Sequence, residues 1–314
     1  MRLDQIQGCR EGAIPRGLDH IVHAVHDLDA AGARYRALGF TVGARNRHPW
    51  GTHNAIVQCP GVFIELLAVG EAGLIPAAKP RAISFGQFTS EFLARGEGLS
   101  MLVLEGRGAA ADAAAFRAAG IGDFDVFDFA RAGKRPDGTT VQVAFSLAFA
   151  QDEKAPDTGF FTCQQHYPEN FWNPVFQQHA NGVRGVAGVV LVADNPADHH
   201  VFLKAFSGVT DLKSTSSGIT IETPRGAIQV MDPAAFRLHF AAEPPDVARG
   251  MRLAAIRFAV RDRAAARAAL GADAVERMDK LIVGPQSAHG ATLVFESGLA
   301  RAPSAVPSLP EGAP

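Results

Sequence analysis

Leu18-Asp19-His20-Ile21-Val22 and Val62-Phe63-Ile64-Glu65-Leu66-Leu67-Ala68-Val69 are two strand-like apolar runs, and each holds an ionisable side chain where its neighbours are hydrophobic. Burying His20 or Glu65 alone is costly, because an uncompensated buried charge costs several kcal/mol or forces neutralisation. Two economical solutions exist. The residues can take structural partners, with Arg45 or Arg47 as candidates for Glu65. Or they can share a divalent metal ion, for which neutral imidazole and carboxylate are both good ligands.

The elements around these runs read as one unit. Residues 17–25 form a strand, and Asp27 caps a helix that Gly39 stops. Strands at 40–44, 54–59 and 62–69 follow, with Pro60-Gly61 as a turn. The order is βαβββ, and it recurs. A second unit has strands at 99–104, 124–129, 140–149 and 159–165 around a helix at 109–119. A third opens at 186–193 with a helix running to about 206, then strands at 219–223 and 227–231. A fourth has a strand at 252–260, a helix at 263–270, and strands at 280–283 and 291–296. Recurrence at this length is a repeat signal. It divides the chain into an arm (1–16), a domain (17–165), a bridge (166–183), a second domain (184–297) and a Pro/Ala/Ser-rich tail (298–314) expected to be disordered.

Composition bounds the function. In 314 residues, 47% hydrophobic and 20% charged content are those of a globular protein, and a net charge of −2 offers nothing to nucleic acid or an anionic membrane. Three cysteines without CxxC spacing argue for a reducing compartment, and the N-terminus carries no secretory pattern. A cytoplasmic protein is expected. There is no GxGxxG before a helix, no GxxxxGK[ST], no GxSxG and no HExxH.

A βαβββ unit with His in its first strand and Glu in its fourth resembles the vicinal oxygen chelate superfamily. His48-Pro49-Trp50-Gly51-Thr52-His53-Asn54, between the second and third strands, is similar to a glyoxalase-like subset of it. The resemblance implies an α+β fold of four βαβββ modules forming two barrel-like mixed sheets, as in glyoxalases and extradiol dioxygenases. It implies one divalent metal ion (Fe, Mn, Co, Ni or Zn) held by first and fourth strands, and His20 and Glu65 match two such positions. Their second-unit counterparts fall at Met101 and near Cys163; those of the second half fall at Gly188, Ala255, Gln229 and about Phe295. His166 is the leading third ligand and Gln165 its substitute. The superfamily's ring-cleaving dioxygenases keep their metal in the second barrel, whereas here the polar pair lies in the first.

The remaining side chains have two readings each. His48 is a turn residue, or a substrate contact or general base alongside Glu65. Asn54 caps a turn or, with Gln165, holds a substrate. His23 faces away from His20 and packs under the helix. His199 and His200 are expected at a helix surface, Cys163 in inert packing, and Arg131 to Arg135 at a solvated hairpin tip. The expected function is a metal-dependent lyase, isomerase or hydrolase acting on a small oxygen-rich molecule. A ring-cleaving Fe(II) dioxygenase and a metal-free binding protein are the alternatives. The partner is that small molecule, with room for a homodimer.

Overall fold

Alternation decides where each side chain of these strands points, and one interruption of it shapes the site. The computed structural model describes residues 14–134 and 138–298. The arm as far as residue 13, the tip at 135–137 and the tail from 299 lie outside the described residues.

The first half contains β1 (Leu18–Ala24), α1 (Leu28–Ala37), β2 (Asn46–Arg47), β3 (Thr52–Cys59), β4 (Val62–Val69), α2 (Phe85–Leu93), β5 (Gly98–Glu105), α3 (Ala109–Ala118), β6 (Phe127–Lys134), β7 (Thr140–Ala150) and β8 (Gly159–Gln165). After α4 (Pro168–Phe171) come β9 (Val183–Val192), α5 (His200–Ser207), β10 (Lys213–Thr215), β11 (Gly218–Glu222), β12 (Ala227–Met231), α6 (Pro233–Phe240), β13 (Arg252–Val260), α7 (Arg263–Leu270), β14 (Ala274–Arg277), β15 (Lys280–Val283) and β16 (Thr292–Ser297). Asp27, Ser84, Asp232 and Asp262 cap α1, α2, α6 and α7 by accepting backbone N–H bonds. Each such cap is worth about 1 kcal/mol.

The fold is α+β, with two eight-stranded mixed sheets in the orders β2-β3-β4-β1-β5-β8-β7-β6 and β10-β11-β12-β9-β13-β16-β15-β14. In each sheet two units meet through their first strands, β1 against β5 and β9 against β13, both antiparallel. One apolar cluster joins α1, α3, α5 and α7 to the faces of both sheets that carry Leu18, Ile64, Leu102, Val189 and Phe295. The opposite faces hold clusters of their own. No helix among the described residues is long and apolar enough to cross a membrane.

Two expected strands shift, and one histidine is buried that was expected at the surface. Residues 40–44 form no ladder; Gly43 N–H bonds Ile56 O at 2.8 Å and the short β2 follows. The strand expected at 124–129 is displaced to β6, which carries Arg131 into the sheet instead of a hairpin tip. His199 is buried, with Nδ1 2.6 Å from Asp152 Oδ2, while its neighbour His200 is exposed. Helices α2 and α6, unread in the sequence, lie against the faces that matter for the site.

His23 does face away from His20, under α1. Its Nε2 donates to His289 O at 2.8 Å, and its Nδ1 accepts from the Tyr35 hydroxyl at 2.9 Å. Both bonds suit a neutral ring, and burial lowers its pKa from 6.5 to about 4. The unfolded chain therefore takes up this proton first. The contribution is whole above pH 6.5 and is lost as pH falls toward 4, by roughly 3 kcal/mol in all. Urea midpoints measured across this window should fall in the wild type, with a visibly flatter slope in His23→Gln.

Candidate functional site

In the β1–β5 ladder the register steps from Leu18↔Leu104 to His20↔Val103, which leaves Asp19 unpaired in a β-bulge. A bulge re-aims a side chain that strict alternation would send to the other face. Asp19 thus reaches His20: its Oδ1 lies 2.6 Å from His20 Nδ1, and both residues are 5% exposed. Asp19 Oδ2 accepts from Gln165 Nε2 at 2.9 Å. A carboxylate on Nδ1 fixes the ring's tautomer and leaves Nε2 as the free nitrogen. The ring is held flat on Phe63, with centroids 4.3 Å apart, and edge-on to Phe161.

Glu65 arrives on β4 across from His20. Its Oε2 is 4.0 Å from His20 Nε2, and its Oε1 accepts from Asn54 Nδ2 at 2.6 Å. Asn54 is oriented in turn by Asn46, whose Nδ2 donates to Asn54 Oδ1 at 3.0 Å. The same Asn54 Nδ2 lies 3.3 Å from His48 Nε2, and His48 Nδ1 is 2.8 Å from Thr52 Oγ1. Burial chiefly lowers the His48 pKa, against the raising effect of Glu65, so this ring is held toward its neutral form. Gly51 makes the turn that presents His48 and Thr52. Its φ of +84° suits glycine, and a Cβ would stand 2.4 Å from Glu71 O.

The result is an arc of polar groups, Thr52–His48–Asn54–Glu65 and His20–Asp19–Gln165, broken only between Glu65 and His20. It borders a cavity of about 90 Å³ whose other walls are aromatic and aliphatic, among them Trp50, Phe127, Phe129, Phe145 and Phe171. The bridge supplies Phe171, held by Gln58 Nε2 donating to its carbonyl at 2.8 Å. Arg131, on the same face of β6 as Phe127 and Phe129, also lines the cavity.

Of the expected site residues, His20, Glu65, His48 and Asn54 come together, with Gln165 behind Asp19. His166 does not join them. It is exposed, 2.7 Å from Ser146 Oγ, and Ser146 faces away from the cavity that its neighbours Phe145 and Leu147 line. The expected ion pairs to Glu65 do not form either, since Arg45 pairs with Asp29 and Arg47 with Glu71. Asp19 and Arg131 were missed. The signal for Asp19 was an acid in an apolar strand beside a histidine.

The ladder registers also test the metal expectation. The pairs His20↔Val103 and Val22↔Met101 make Met101 the counterpart of His20. Carried through His20↔Phe63 and Met101↔Gly159, the counterpart of Glu65 is Phe161 rather than Cys163. Four equivalent positions face the cavity and two of them are apolar. Catalytic metal centres of N/O type use three protein ligands. Asp19, His20 and Cys163 do bring one ligand atom each within 4.8 Å of one another. Asp19, however, is committed to His20 and Gln165, and the Cys163 thiol is pushed well up by burial, then by the charges of Asp19 and Glu65. The four strand positions that the resemblance names thus supply two donors, His20 and Glu65, one short of the centre it implies.

The second sheet has no such arc. The same register argument puts Gly188, Ala255, Gln229 and Val294 (not Phe295) at the four positions. Gln229 Oε1 accepts from Arg257 Nη1 at 2.6 Å, and Arg257 is paired with Glu296. Phe236 and Phe240 of α6 pack against Val190, Val192 and Val294 and fill the space.

Residues 18–206 match the family described as a glyoxalase-like domain. No curated protein matches the chain. Among solved structures, a hypothetical protein from Staphylococcus aureus is similar at a TM-score of 0.65 and 12% identity, over 90% of this chain and 100% of that one. A mutant of 4-hydroxymandelate synthase from Streptomyces coelicolor is similar at 0.51 and 9% identity, over 91% and 95% of the two chains. At such identities the likeness is one of fold.

Proposed function

Since the chain belongs to the glyoxalase-like domain family of the vicinal oxygen chelate superfamily, we propose that its first-sheet cavity is the active site of an isomerase or lyase that moves a proton on a small oxygen-bearing molecule. The observation that carries this is the 4.0 Å gap between His20 Nε2 and Glu65 Oε2, two groups each anchored on its far side by Asp19 or Asn54. With the Nδ1 proton committed to Asp19, Nε2 offers a lone pair to a C–H or O–H placed in the gap. Asp19 then stabilises the imidazolium that forms. Glu65, on the other side of the gap, is placed to pass a proton to or from a second substrate atom. Return of the proton completes an isomerisation; loss of a leaving group completes an elimination. The apolar walls exclude water from the pair and strengthen these interactions.

Loss of C–H signal in D₂O, followed by proton NMR, tests this on phenylpyruvate, its methyl ester and dihydroxyacetone. Exchange above the buffer rate on at least one of them, lost in Glu65→Gln, is expected. Exchange on none, or exchange indifferent to Glu65, would contradict the reading.

A second reading is favoured by the convergence of Asp19, His20 and Cys163: a divalent metal bound at those three side chains. Metal content of protein purified without chelators distinguishes the two readings.

A further inference from the structure

Arg131 is partly buried and points along the Phe127–Phe129 face of β6 into the cavity. Among the described residues lining that space it is the one permanently charged cation. Its hydrogen bond among the described residues is a long one, 3.4 Å from Nη1 to the carbonyl of the adjacent Ala132. Other arginines of this half are paired: Arg16 with Asp112, Arg45 with Asp29, Arg81 with Asp123 and Asp125. A guanidinium withdrawn from water without a described carboxylate partner carries a desolvation cost that an anionic ligand would offset. Burial lowers its pKa, and the charge of Glu65 opposes that shift.

We infer that Arg131 anchors the carboxylate of the substrate, which is a monoanionic organic acid with a flat apolar body. Three observations set the class. The guanidinium fork matches a carboxylate in two parallel bonds, and charge assistance makes them strong. The wall beside it is aromatic, with Trp50, Phe129 and Phe145 available to a ring or branched chain. Glu65 lines the same cavity of about 90 Å³, so a phosphate dianion would meet more repulsion than a carboxylate does. The inference rests on the cavity being the active site. Arg131 would then hold one end of the substrate while the other end enters the gap between His20 and Glu65.

Calorimetric titration of the full chain with phenylacetate, phenylacetamide and inorganic phosphate at low salt tests it. The wild type should bind phenylacetate about tenfold or more tightly than the amide. Arg131→Met should weaken phenylacetate by about the same factor and leave the amide within about twofold. Arg131→Lys, which keeps the charge and loses the fork, should fall between them; it also serves if the methionine variant does not fold. Glu65→Gln should bind phenylacetate at least as well as the wild type, since it removes a like charge. No phenylacetate binding by the wild type, equal binding of acid and amide, or binding unchanged in both Arg131 variants would overturn the inference. Phosphate binding more tightly than phenylacetate would also overturn it, in favour of a phosphate ligand. If binding depends on Arg131 while proton exchange ignores His20 and Glu65, the anchor stands and the proton-transfer reading fails.

Discussion

His20→Gln lowers the rate of solvent deuterium uptake by roughly 10² to 10⁴-fold, the range that a positioned general base contributes. The substitution is chosen because a glutamine amide can still donate to Asp19, so the bulge keeps a partner and the loss falls on chemistry rather than folding. The companion change, Asp19→Asn, tests the argument one step back. An asparagine turned with its amide N–H toward Nδ1 would favour the opposite tautomer and place the ring proton on Nε2, where the lone pair is needed. A comparable fall in rate is expected from Asp19→Asn, with ligand affinity little changed, because Asp19 touches the imidazole and not the cavity. Matching thermal midpoints in the three proteins would assign the effect to proton transfer. A rate unchanged in His20→Gln would remove His20 from the mechanism.

Phe236→Ala destabilises the protein by about 3–5 kcal/mol, the usual cost of deleting a buried phenylalanine ring. Phe236 is 0% exposed and lies 4.9 Å from Phe240, ring centre to ring centre, over the face of the second sheet that corresponds to the cavity of the first. The two sheets share a strand order; what separates a site from a core is the filling of this face. The variant should therefore open an apolar void. Such voids stay dry and bind small aromatics. Chemical denaturation should show the loss of stability, and benzene should raise the midpoint of the variant but not of the wild type. A cost under about 1 kcal/mol would mean that α6 is not packed there as described, since full burial of the ring cannot be that cheap.

Much of the fold was legible because apolar runs and turn residues recur with one order. β4, β8, β12, β13, α7 and β15 have the bounds that the pattern predicts. The misses have physical causes. Period-two reading cannot see a bulge, and strict alternation would send Asp19 to the face away from His20. The basic run from Arg131 to Arg135 reads as a solvated hairpin tip, although Phe127, Phe129 and Arg131 alternate correctly as one strand face. Helices α2 and α6 sit outside the βαβββ repeat. Their caps and spacing were present, with Ser84 before Phe85, Thr89 and Phe92, and Asp232-Pro233 before Phe236 and Phe240. Glu65 was recognised as buried, but the partners expected for it, Arg45 and Arg47, pair with Asp29 and Glu71, and Asn54 takes their place. Asn54 and Glu65 lie on adjacent strands with Asn54↔Leu67 and Ile56↔Glu65 as register partners, a diagonal relation that only the ladder reveals.

The most direct test of the central claim, that Asp19, His20 and Glu65 move a proton without a resident metal, is the deuterium exchange rate before and after exhaustive treatment with EDTA. The rate should stay the same within about twofold, since a difference that small lies below 1 kcal/mol of barrier, and the treated protein should remain sensitive to His20→Gln. Loss of exchange on treatment, with recovery on adding one divalent metal, would contradict that claim and return the site to metal chemistry.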